Sequence, residues 1–341
     1  MAGNDVFGTT ADGTEIRRFA ISAGGLTARV MTFGAAVQDL RIAGHDAPLV
    51  LGFDQFDDYP THSPYFGAIA GRYANRIASG RFTIDGIRYQ SPRNFLGKHT
   101  LHGGDAGFFG AVWDVVASGA DFVTLALHDP AGSMGFPGAM DVTCTYRVRA
   151  PGTLSVELSA ITDEPTLCNL AHHSYFNLDD GGSSDVLDHR MMLTAAAYLP
   201  VDGEMIPTGV VMPVDGAAFD FRIARPIRQD DESGSQLPYD HNFCLSASRG
   251  PLRHAVWAQG SSGVEMEVWT TEPGLQFYAG QNVARTIPGL GGRSYGSYAG
   301  FCLEPQVWPD SPNRPYFPQA VLRPGETYRQ VTEYRFRAPQ D

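Results

Sequence analysis

Regular alternation of apolar and polar side chains is the feature of this sequence that most constrains its fold. Apolar residues occupy every even position from Met140 to Val148, and polar residues occupy every odd position between them. The segments 122–128, 153–160 and 264–268 alternate in the same way. A side-chain period of two is typical of a strand with one buried face, and no segment of ten or more residues has a convincing helical period. The sequence therefore predicts a protein built from strands.

Turn-forming residues support the same interpretation. The chain contains 39 glycines and 23 prolines, which suits many strands joined by turns. Asp85-Gly86 separates the segments 82–84 and 87–89, and this dipeptide favours the type I′ turn of a hairpin. The stretches 284–299 and 307–318 are predicted to be long loops that shape a site. We expect an all-β fold, a large antiparallel β-sandwich.

Length and charge favour one soluble domain. The 341 residues contain no linker-like stretch, charge block or change in composition, so we predict a single domain over 1–341. The net charge of −12 repels phosphate backbones and anionic lipids, which argues against nucleic-acid and membrane partners. No apolar run approaches the ~18 residues of a membrane span, and residues 1–10 lack the features of a signal peptide. We expect a cytoplasmic protein, either a monomer or a homodimer.

Cysteine and lysine usage argues against several kinds of chemistry. Cys144, Cys168, Cys244 and Cys302 are spaced like neither a zinc site nor a compact disulfide framework, so we predict four buried, reduced thiols. Lys98 is the only lysine, and Schiff-base chemistry would depend on it. The sequence has no nucleophile elbow, phosphate-binding loop, dinucleotide fingerprint or H-E-x-x-H motif. The remaining polar residues suit acid–base work on a neutral, hydroxyl-rich molecule.

Glu304 is the strongest catalytic candidate. It lies close in sequence to Phe301, Leu303, Val307 and Trp308, whose apolar side chains are expected to desolvate its carboxylate and raise its pKa. A carboxylate tuned in this way can act as a general base near neutral pH. The proline that follows it favours extended backbone, which predicts a strand here. The alternative is a structural glutamate held by an arginine in the core.

Two pairs of histidines are candidates for acid–base or metal chemistry. His172 and His173 are adjacent, and neighbours on a strand point to opposite faces, so only one of them can face a given pocket. His99 and His102 precede Gly103-Gly104, a pair that lets the backbone pass close to another group, such as a ligand. A metal site at these two histidines lacks a nearby carboxylate and a third histidine, so we predict no metal site.

Two further segments carry groups suited to binding hydroxyls. Residues 71–77 contain Arg72, Asn75 and Arg76, and an arginine fork can hydrogen-bond neighbouring hydroxyls or clamp a carboxylate. Asp240 follows a Pro-Tyr turn, where such residues often cap the backbone. Pairing between strands and backbone capping therefore remain the structural alternatives.

In this order, the segments resemble the aldose 1-epimerase (galactose mutarotase) family over nearly the whole chain. The matching segments are GRYANRI (71–77), LHGG (101–104), HSYFNL (173–178), DHNF (240–243), PGLQFY (273–278) and LEPQ (303–306), and the ending around Asn313 and LRPGE (322–326) is also similar. Each segment is short, but six of them in order are specific. The resemblance implies a β-supersandwich, no cofactor, and interconversion of the α and β anomers of a free monosaccharide.

The resemblance also implies a role for individual residues. Glu304 corresponds to the general base and His173 to the general acid. The residues at or beside the family's sugar-binding positions are Arg76, Asn75, His102, Asp240 and Gln276.

Three positions depart from the family pattern. His172 stands where the family usually has asparagine, and Pro305 replaces a threonine after the catalytic glutamate. The segment Ala279-Gly280-Gln281-Asn282 replaces a Thr-Gly-Asn. None of these changes removes a catalytic group, and all of them bear on the choice of sugar.

Other functions remain open at this point. A glycoside hydrolase needs two carboxylates, which Asp240 and Glu304 could supply, but His173 would then lack a role. A non-catalytic sugar-binding protein would not need both Glu304 and His173. A hexose-6-phosphate 1-epimerase would need a cationic phosphate site, and the acidic chain with its single lysine favours an unphosphorylated sugar. Four loop arginines could nevertheless converge in space: Arg285, Arg293, Arg314 and Arg323.

Overall fold

Strands dominate the computed structural model, which describes residues 3–62, 65–231 and 233–339. The one α-helix of these residues, α1, is a single turn at Asp58–His62. Short 3₁₀ segments occur at Ala78–Gly80, Phe108–Gly110, Ser133–Gly135, Leu290–Gly292 and Ser311–Asn313. The strands are β1 Gly3–Thr9, β2 Glu15–Ala23, β3 Leu26–Met31, β4 Val37–Ile42, β5 Ile69–Ala70, β6 Arg76–Ile77, β7 Arg81–Ile84, β8 Ile87–Gln90, β9 Thr100–Leu101, β10 Asp114–Ser118, β11 Phe122–Asp129, β12 Met140–Arg149, β13 Thr153–Thr162, β14 Thr166–Leu167, β15 Ala171–His172, β16 Tyr175–Phe176, β17 Arg190–Leu193, β18 Ala197–Tyr198, β19 Met212–Pro213, β20 Arg225–Pro226, β21 Asp240–Cys244, β22 Arg253–Gln259, β23 Glu265–Thr270, β24 Gly274–Tyr278, β25 Phe301–Gln306, β26 Val321–Leu322 and β27 Tyr328–Arg337.

Three larger antiparallel sheets organise these strands. The first has the order β1-β2-β3-β4, and the second has nine strands in the order β10-β11-β12-β13-β27-β23-β22-β17-β20. The third has six strands in the order β16-β25-β24-β21-β18-β19. The prediction of an all-β, antiparallel fold is confirmed, and the alternating segments at 122–128, 140–148 and 153–160 are the neighbouring strands β11, β12 and β13.

The apolar faces of the nine- and six-stranded sheets contribute to one core. Leu303 of β25, Phe277 of β24 and Tyr334 of β27 are fully buried members of a single cluster. The Tyr334 hydroxyl donates a hydrogen bond to the Leu303 carbonyl at 3.2 Å, and the Gln330 amide donates one to the Pro305 carbonyl at 2.9 Å. These contacts fix the six-stranded sheet on its neighbour and leave its opposite face for other groups.

Strand alternation explains why that opposite face is polar. Glu304 pairs with Gln276 across β25 and β24, and Gln276 pairs with Asn242 across β24 and β21. Residues paired across antiparallel strands share a face, so these three side chains form a row. Asp240, two residues before Asn242, lies on the same face. The register therefore brings the sequence-predicted carboxylates to one side of one sheet.

Local turn chemistry follows the sequence in two places. Asp85 and Gly86 have φ values of 50° and 83°, which confirms the predicted type I′ hairpin between β7 and β8. The expectation that Gly103-Gly104 lets the backbone pass close to another group is confirmed at Gly103, where that group is the backbone of Gly71. A Cβ added at Gly103 would lie 2.1 Å from the Gly71 carbonyl oxygen, so this glycine allows two loops of the protein to meet.

The four cysteines are free thiols. Cys144, Cys168 and Cys302 are buried as predicted, whereas Cys244 is only half-buried. Within the described ranges, no helix has the length and apolar character that crossing a membrane requires.

Candidate active site

A cavity of about 240 Å³ lies against the polar face of the six-stranded sheet. Its lining residues are Tyr65, Asn75, Arg76, Leu101, His102, His173, Tyr175, Asp240, Tyr278, Asn282, Arg285 and Glu304. Six of the seven residues that the sequence analysis selected line it. The seventh, Gln276, lies behind Asp240 and lines a much smaller adjoining space.

Glu304 is buried at the floor of this cavity, on strand β25 as predicted, with 2% of its surface exposed. Burial raises its pKa well above the usual range, and the nearby charge of Asp240 raises it further while Arg76 opposes the rise. The direction of the shift agrees with the sequence analysis, but the predicted cause is wrong in part. Phe301 and Leu303 belong to the core on the other face of β25, so their side chains point away from the carboxylate.

His173 is held between two aromatic rings. Its imidazole stacks on Tyr175 at 5.0 Å and on Tyr65 at 5.7 Å between ring centres. Its Nδ1 lies 3.5 Å from Cys302 Sγ, and burial lowers its pKa to about 4. The neighbouring His172 points away from the cavity, where its Nδ1 lies 3.2 Å from the Tyr146 hydroxyl. As the sequence predicted, only one of the two adjacent histidines faces the cavity.

Glu304 and His173 form a close pair. Nε2 of His173 lies 3.6 Å from Oε2 of Glu304, and no arginine of the described residues forms a salt bridge with Glu304. The alternative of a structural glutamate held by arginine is therefore wrong. Burial disfavours the charged form of each group, so the two pKa directions favour a pair that shares one proton, with the carboxyl protonated and the imidazole neutral.

Arg76, Asp240 and Gln276 form a hydrogen-bonded wall. Arg76 Nη2 donates to Asp240 Oδ2 at 2.9 Å, and Gln276 Nε2 donates to Asp240 Oδ1 at 2.6 Å. The Arg76 guanidinium also lies 4.7 Å from the ring centre of Phe95. Asp240 begins strand β21, so backbone capping in a turn is not its role. The wall presents oriented donors and acceptors of the kind that bind hydroxyl groups.

His102 is fixed in one tautomer by its neighbour. The backbone N–H of Asn75 donates to Nδ1 of His102 at 3.2 Å, so the neutral ring carries its proton on Nε2. Burial holds the pKa of His102 well below its usual range, and the ring stays neutral. Asn75 and His102 both adopt positive φ, 65° and 52°, a conformation that costs free energy in a non-glycine residue. Such strain is frequent at functional sites.

A metal ion fits this site poorly. Ligand atoms of His102, His173 and Glu304 all lie within 4.8 Å of one another, and two histidines with a glutamate are a known zinc ligand set. The Asn75 N–H, however, occupies the lone pair of His102 Nδ1 and keeps the proton on Nε2. A metal bound through Nε2 would lose that hydrogen bond, because the proton would have to move to Nδ1. The arrangement favours donation to a hydroxyl over metal binding.

Several other residues that the sequence analysis considered have structural roles. Arg72 is buried and pairs with Asp129 at 2.6 Å, so it braces a turn and does not reach the cavity. His99 accepts the Ser79 N–H on Nδ1 and contacts Glu204 through Nε2 at 2.9 Å. Its partners thus differ from those of His102.

The four loop arginines do not converge. Arg323 pairs with Asp85, and Arg314 lies 3.5 Å from Asp310. Arg293 donates to the Asp180 carbonyl, away from the cavity. Only Arg285 lines the cavity.

Sequence reasoning missed part of the lining. Tyr175 and Tyr278 lie inside the matched motifs, each two residues beyond a selected residue, and the period of two could have identified them. Tyr65 comes from a loop, which carries no comparable periodic signal. Asn282 and Arg285 also come from a loop, and the sequence analysis named them without selecting them as lining residues.

Comparison with known proteins agrees with the fold. The family model described as aldose 1-epimerase matches residues 17–335. The galactose mutarotase of Rattus norvegicus is 40% identical over 337 residues, which is 97% of each chain, and the aldose 1-epimerase of Haemophilus influenzae is 37% identical over 92% of this chain and 93% of its own. An aldose epimerase homologue from C. elegans superposes with a TM-score of 0.87 at 29% identity, over 95% of this chain and 99% of its own. This chain belongs to the aldose 1-epimerase family.

Proposed function

We propose that this protein is a mutarotase, an isomerase that interconverts the α and β anomers of a free aldose. The observation that carries the proposal is the buried Glu304–His173 pair, 3.6 Å apart, in a cavity walled by hydroxyl-binding groups. Family membership supports the same reaction, since the rat and H. influenzae relatives bear the names galactose mutarotase and aldose 1-epimerase. A monosaccharide is the expected substrate.

The proposed reaction uses the pair in opposite roles. Glu304 removes the proton from the anomeric hydroxyl, while protonated His173 gives a proton to the ring oxygen. The bond between the anomeric carbon and the ring oxygen breaks, and an open-chain aldehyde forms. Rotation about C1–C2 presents the other face of the aldehyde, and the two proton transfers then run in reverse to close the ring.

One proton on the pair suffices for this cycle. Before the sugar binds, burial favours protonated Glu304 and neutral His173. Moving that proton to His173 Nε2 creates the carboxylate and the imidazolium without a change in total charge. Hydrogen bonds from sugar hydroxyls stabilise these charged forms, because they replace the water that the cavity excludes.

Arg76 and His102 stabilise charge on the sugar oxygens. The Arg76 guanidinium is oriented by Asp240 and Phe95, and the Nε2–H of His102 is oriented by the Asn75 N–H. Donors that are fixed before reaction pay little reorganisation cost when oxyanion charge develops. Gln276 contributes indirectly, because its amide donates the hydrogen bond that holds Asp240 in place.

Polarimetry tests the proposal. Freshly dissolved α-D-glucose, α-D-galactose, D-xylose and L-arabinose are followed by optical rotation with and without the protein. We expect the approach to equilibrium to accelerate with at least one of them. No acceleration with any sugar of this panel, at protein concentrations that give a folded circular-dichroism spectrum, would contradict the proposed activity and favour a non-catalytic sugar-binding protein.

The pH dependence of kcat/KM should show the pH at which the pair gains a second proton and the pH at which it loses its shared proton. The active pair carries one proton, so a second proton inactivates it at low pH and loss of its proton inactivates it at high pH. Burial lowers the pKa of His173 to about 4, so the acid limb is expected near pH 4 rather than near the ordinary value of 6.5. Initial rates, corrected for the buffer reaction, measure the profile. An acid limb centred near 6.5 would contradict the assigned neutral imidazole.

Substitution of His102 tests its role as a hydroxyl donor. H102Q keeps an N–H donor at a similar distance, whereas H102L removes it. We expect H102L to lower kcat/KM about tenfold and H102Q to lower it less, because a net hydrogen bond contributes ~0.5–1.5 kcal/mol. Equal losses in the two variants would show that His102 acts only through packing.

Metal independence stays a prediction of this account. The chemistry needs no Lewis acid, and the tautomer of His102 opposes ligation. Activity should survive prolonged dialysis against a chelator. Loss of activity on chelation, with recovery on adding zinc, would instead assign His102, His173 and Glu304 as metal ligands.

Three broader expectations remain proposals. We propose that residues 1–341 form a single domain, that the protein acts in the cytoplasm, and that it is a monomer or a homodimer without nucleic-acid or membrane partners. The family match over residues 17–335 supports the single domain. The net charge of −12 supports the absence of polyanionic partners.

A further inference from the structure

We propose that Arg285 makes the cavity selective for aldoses that carry a single carboxylate group, the hexuronates. This inference rests on the proposed function and specifies its substrate class. It starts from a cation that neither the mechanism nor the matched motifs use.

Arg285 lies at the wall of the cavity, near Tyr278. It follows β24 in a loop, and it lines the same cavity as Glu304 and His173. Its guanidinium lies 5.5 Å from the ring centre of Phe66. Burial raises the pKa of Tyr278, and the charge of Arg285 opposes that rise, which agrees with a position beside this residue.

The guanidinium is anchored on one side and unpaired on the other. Nη1 donates to the carbonyl oxygens of Asn282, Val283 and Ala284 at 3.2, 3.1 and 2.8 Å. Among the described residues, Nε and Nη2 have no hydrogen-bond partner, and no carboxylate lies within salt-bridge distance of Arg285. Nε is itself buried, so the loop holds a cation in place and leaves Nη2 as the donor free for another group.

The charges of the lining residues favour a bound group that carries one negative charge. Arg76 is neutralised by Asp240, and the Glu304–His173 pair with its one proton is neutral overall. Arg285 therefore leaves one uncompensated positive charge in the lining. A carboxylate neutralises this charge and accepts a charge-assisted hydrogen bond from Nη2, whereas the charge of a phosphate dianion would exceed it.

A structural role for Arg285 is the competing explanation. Its three bonds to carbonyl groups could serve only to shape residues 282–285. The two explanations differ in what they predict for substrates of different charge, because a purely structural arginine affects neutral and anionic sugars alike.

The test compares D-galacturonate, D-galactose and galactose 6-phosphate as substrates of the wild type, R285Q and R285K. We expect the wild type to have a higher kcat/KM for galacturonate than for galactose, and the galacturonate advantage to shrink as salt is added. R285Q should lower the galacturonate-to-galactose ratio at least tenfold, in line with a charge-assisted hydrogen bond, and R285K should restore part of it. R88Q, an exposed arginine on β8 outside the cavity, is the matched control and should leave the ratio unchanged.

Several results would overturn the proposal. They are a wild type that turns over galactose but not galacturonate, equal losses for both sugars in R285Q, or a preference for the phosphate ester. If no sugar reacts at all, the proposed function fails separately. Calorimetric titration of the wild type with galacturonate and with galactose then still decides the point, since tighter binding of galactose would exclude an anion site. The same titration and the salt dependence also decide it if R285Q does not fold.

Discussion

E304Q is expected to lower kcat for anomer interconversion by about 10²–10⁴-fold while leaving the fold intact. The amide has the shape of the carboxyl group but cannot take a proton from the anomeric hydroxyl. A positioned general base contributes roughly this factor, which corresponds to ~3–5 kcal/mol in the barrier. Because Glu304 is buried, protonated in the resting pair and without a salt bridge to an arginine in the described part of the chain, exchanging its carboxyl group for an amide should not lower thermal stability.

The control for this variant is E15Q, which removes an exposed carboxylate at the start of β2. E15Q should retain the wild-type rate. If E304Q also kept a near-wild-type rate at unchanged melting temperature, the base would have to lie elsewhere, and Asp240 would be the next candidate.

H173N is expected to lower kcat by a similar factor, about 10²–10⁴-fold, because an amide cannot transfer a proton to the ring oxygen as an imidazolium does. The acid limb of the pH profile should also move to higher pH, since protonation of Glu304, whose pKa burial raises, then limits the remaining activity. Initial rates by polarimetry across pH measure both changes. Some loss of stability is expected, because asparagine leaves a gap between Tyr65 and Tyr175.

The adjacent histidine supplies the matched control. H172N changes a buried imidazole on the other side of the backbone, at a position where the family usually has asparagine. It should keep most of the activity. A loss in H172N as large as that in H173N would show that packing, rather than proton transfer, explains the effect at this pair.

Much of the fold was predictable because burial and strand period leave a direct trace in sequence. Met140 to Val148 form a strand that alternates between core and surface, and Asp85-Gly86 forms the expected turn. The row of Glu304, Gln276 and Asn242 was not predictable in the same way. It depends on the register between β21, β24 and β25, which are far apart in sequence.

The candidate site, like the fold, could be predicted only in part. Its motif residues could be selected from residue type and family resemblance, but the surroundings of each residue could not. The desolvation of Glu304 was predicted to come from Phe301, Leu303, Val307 and Trp308, and alternation places the first two on the other face of β25. Arg285 was one of four loop arginines that sequence could not rank, because only the folded loop shows which of them reaches the cavity.

Exchange spectroscopy by NMR measures directly whether the Glu304–His173 pair catalyses anomer exchange. A sugar labelled with carbon-13 at C1 is brought to anomeric equilibrium, and the rate of α–β exchange is measured with wild type, E304Q, H173N and the double variant. We expect exchange that is fast with wild type and slow with each single variant. The double variant should be little slower than either single one, since the two residues act as a unit on one proton. Wild-type exchange no faster than in buffer, or independent losses that multiply in the double variant, would contradict this expectation.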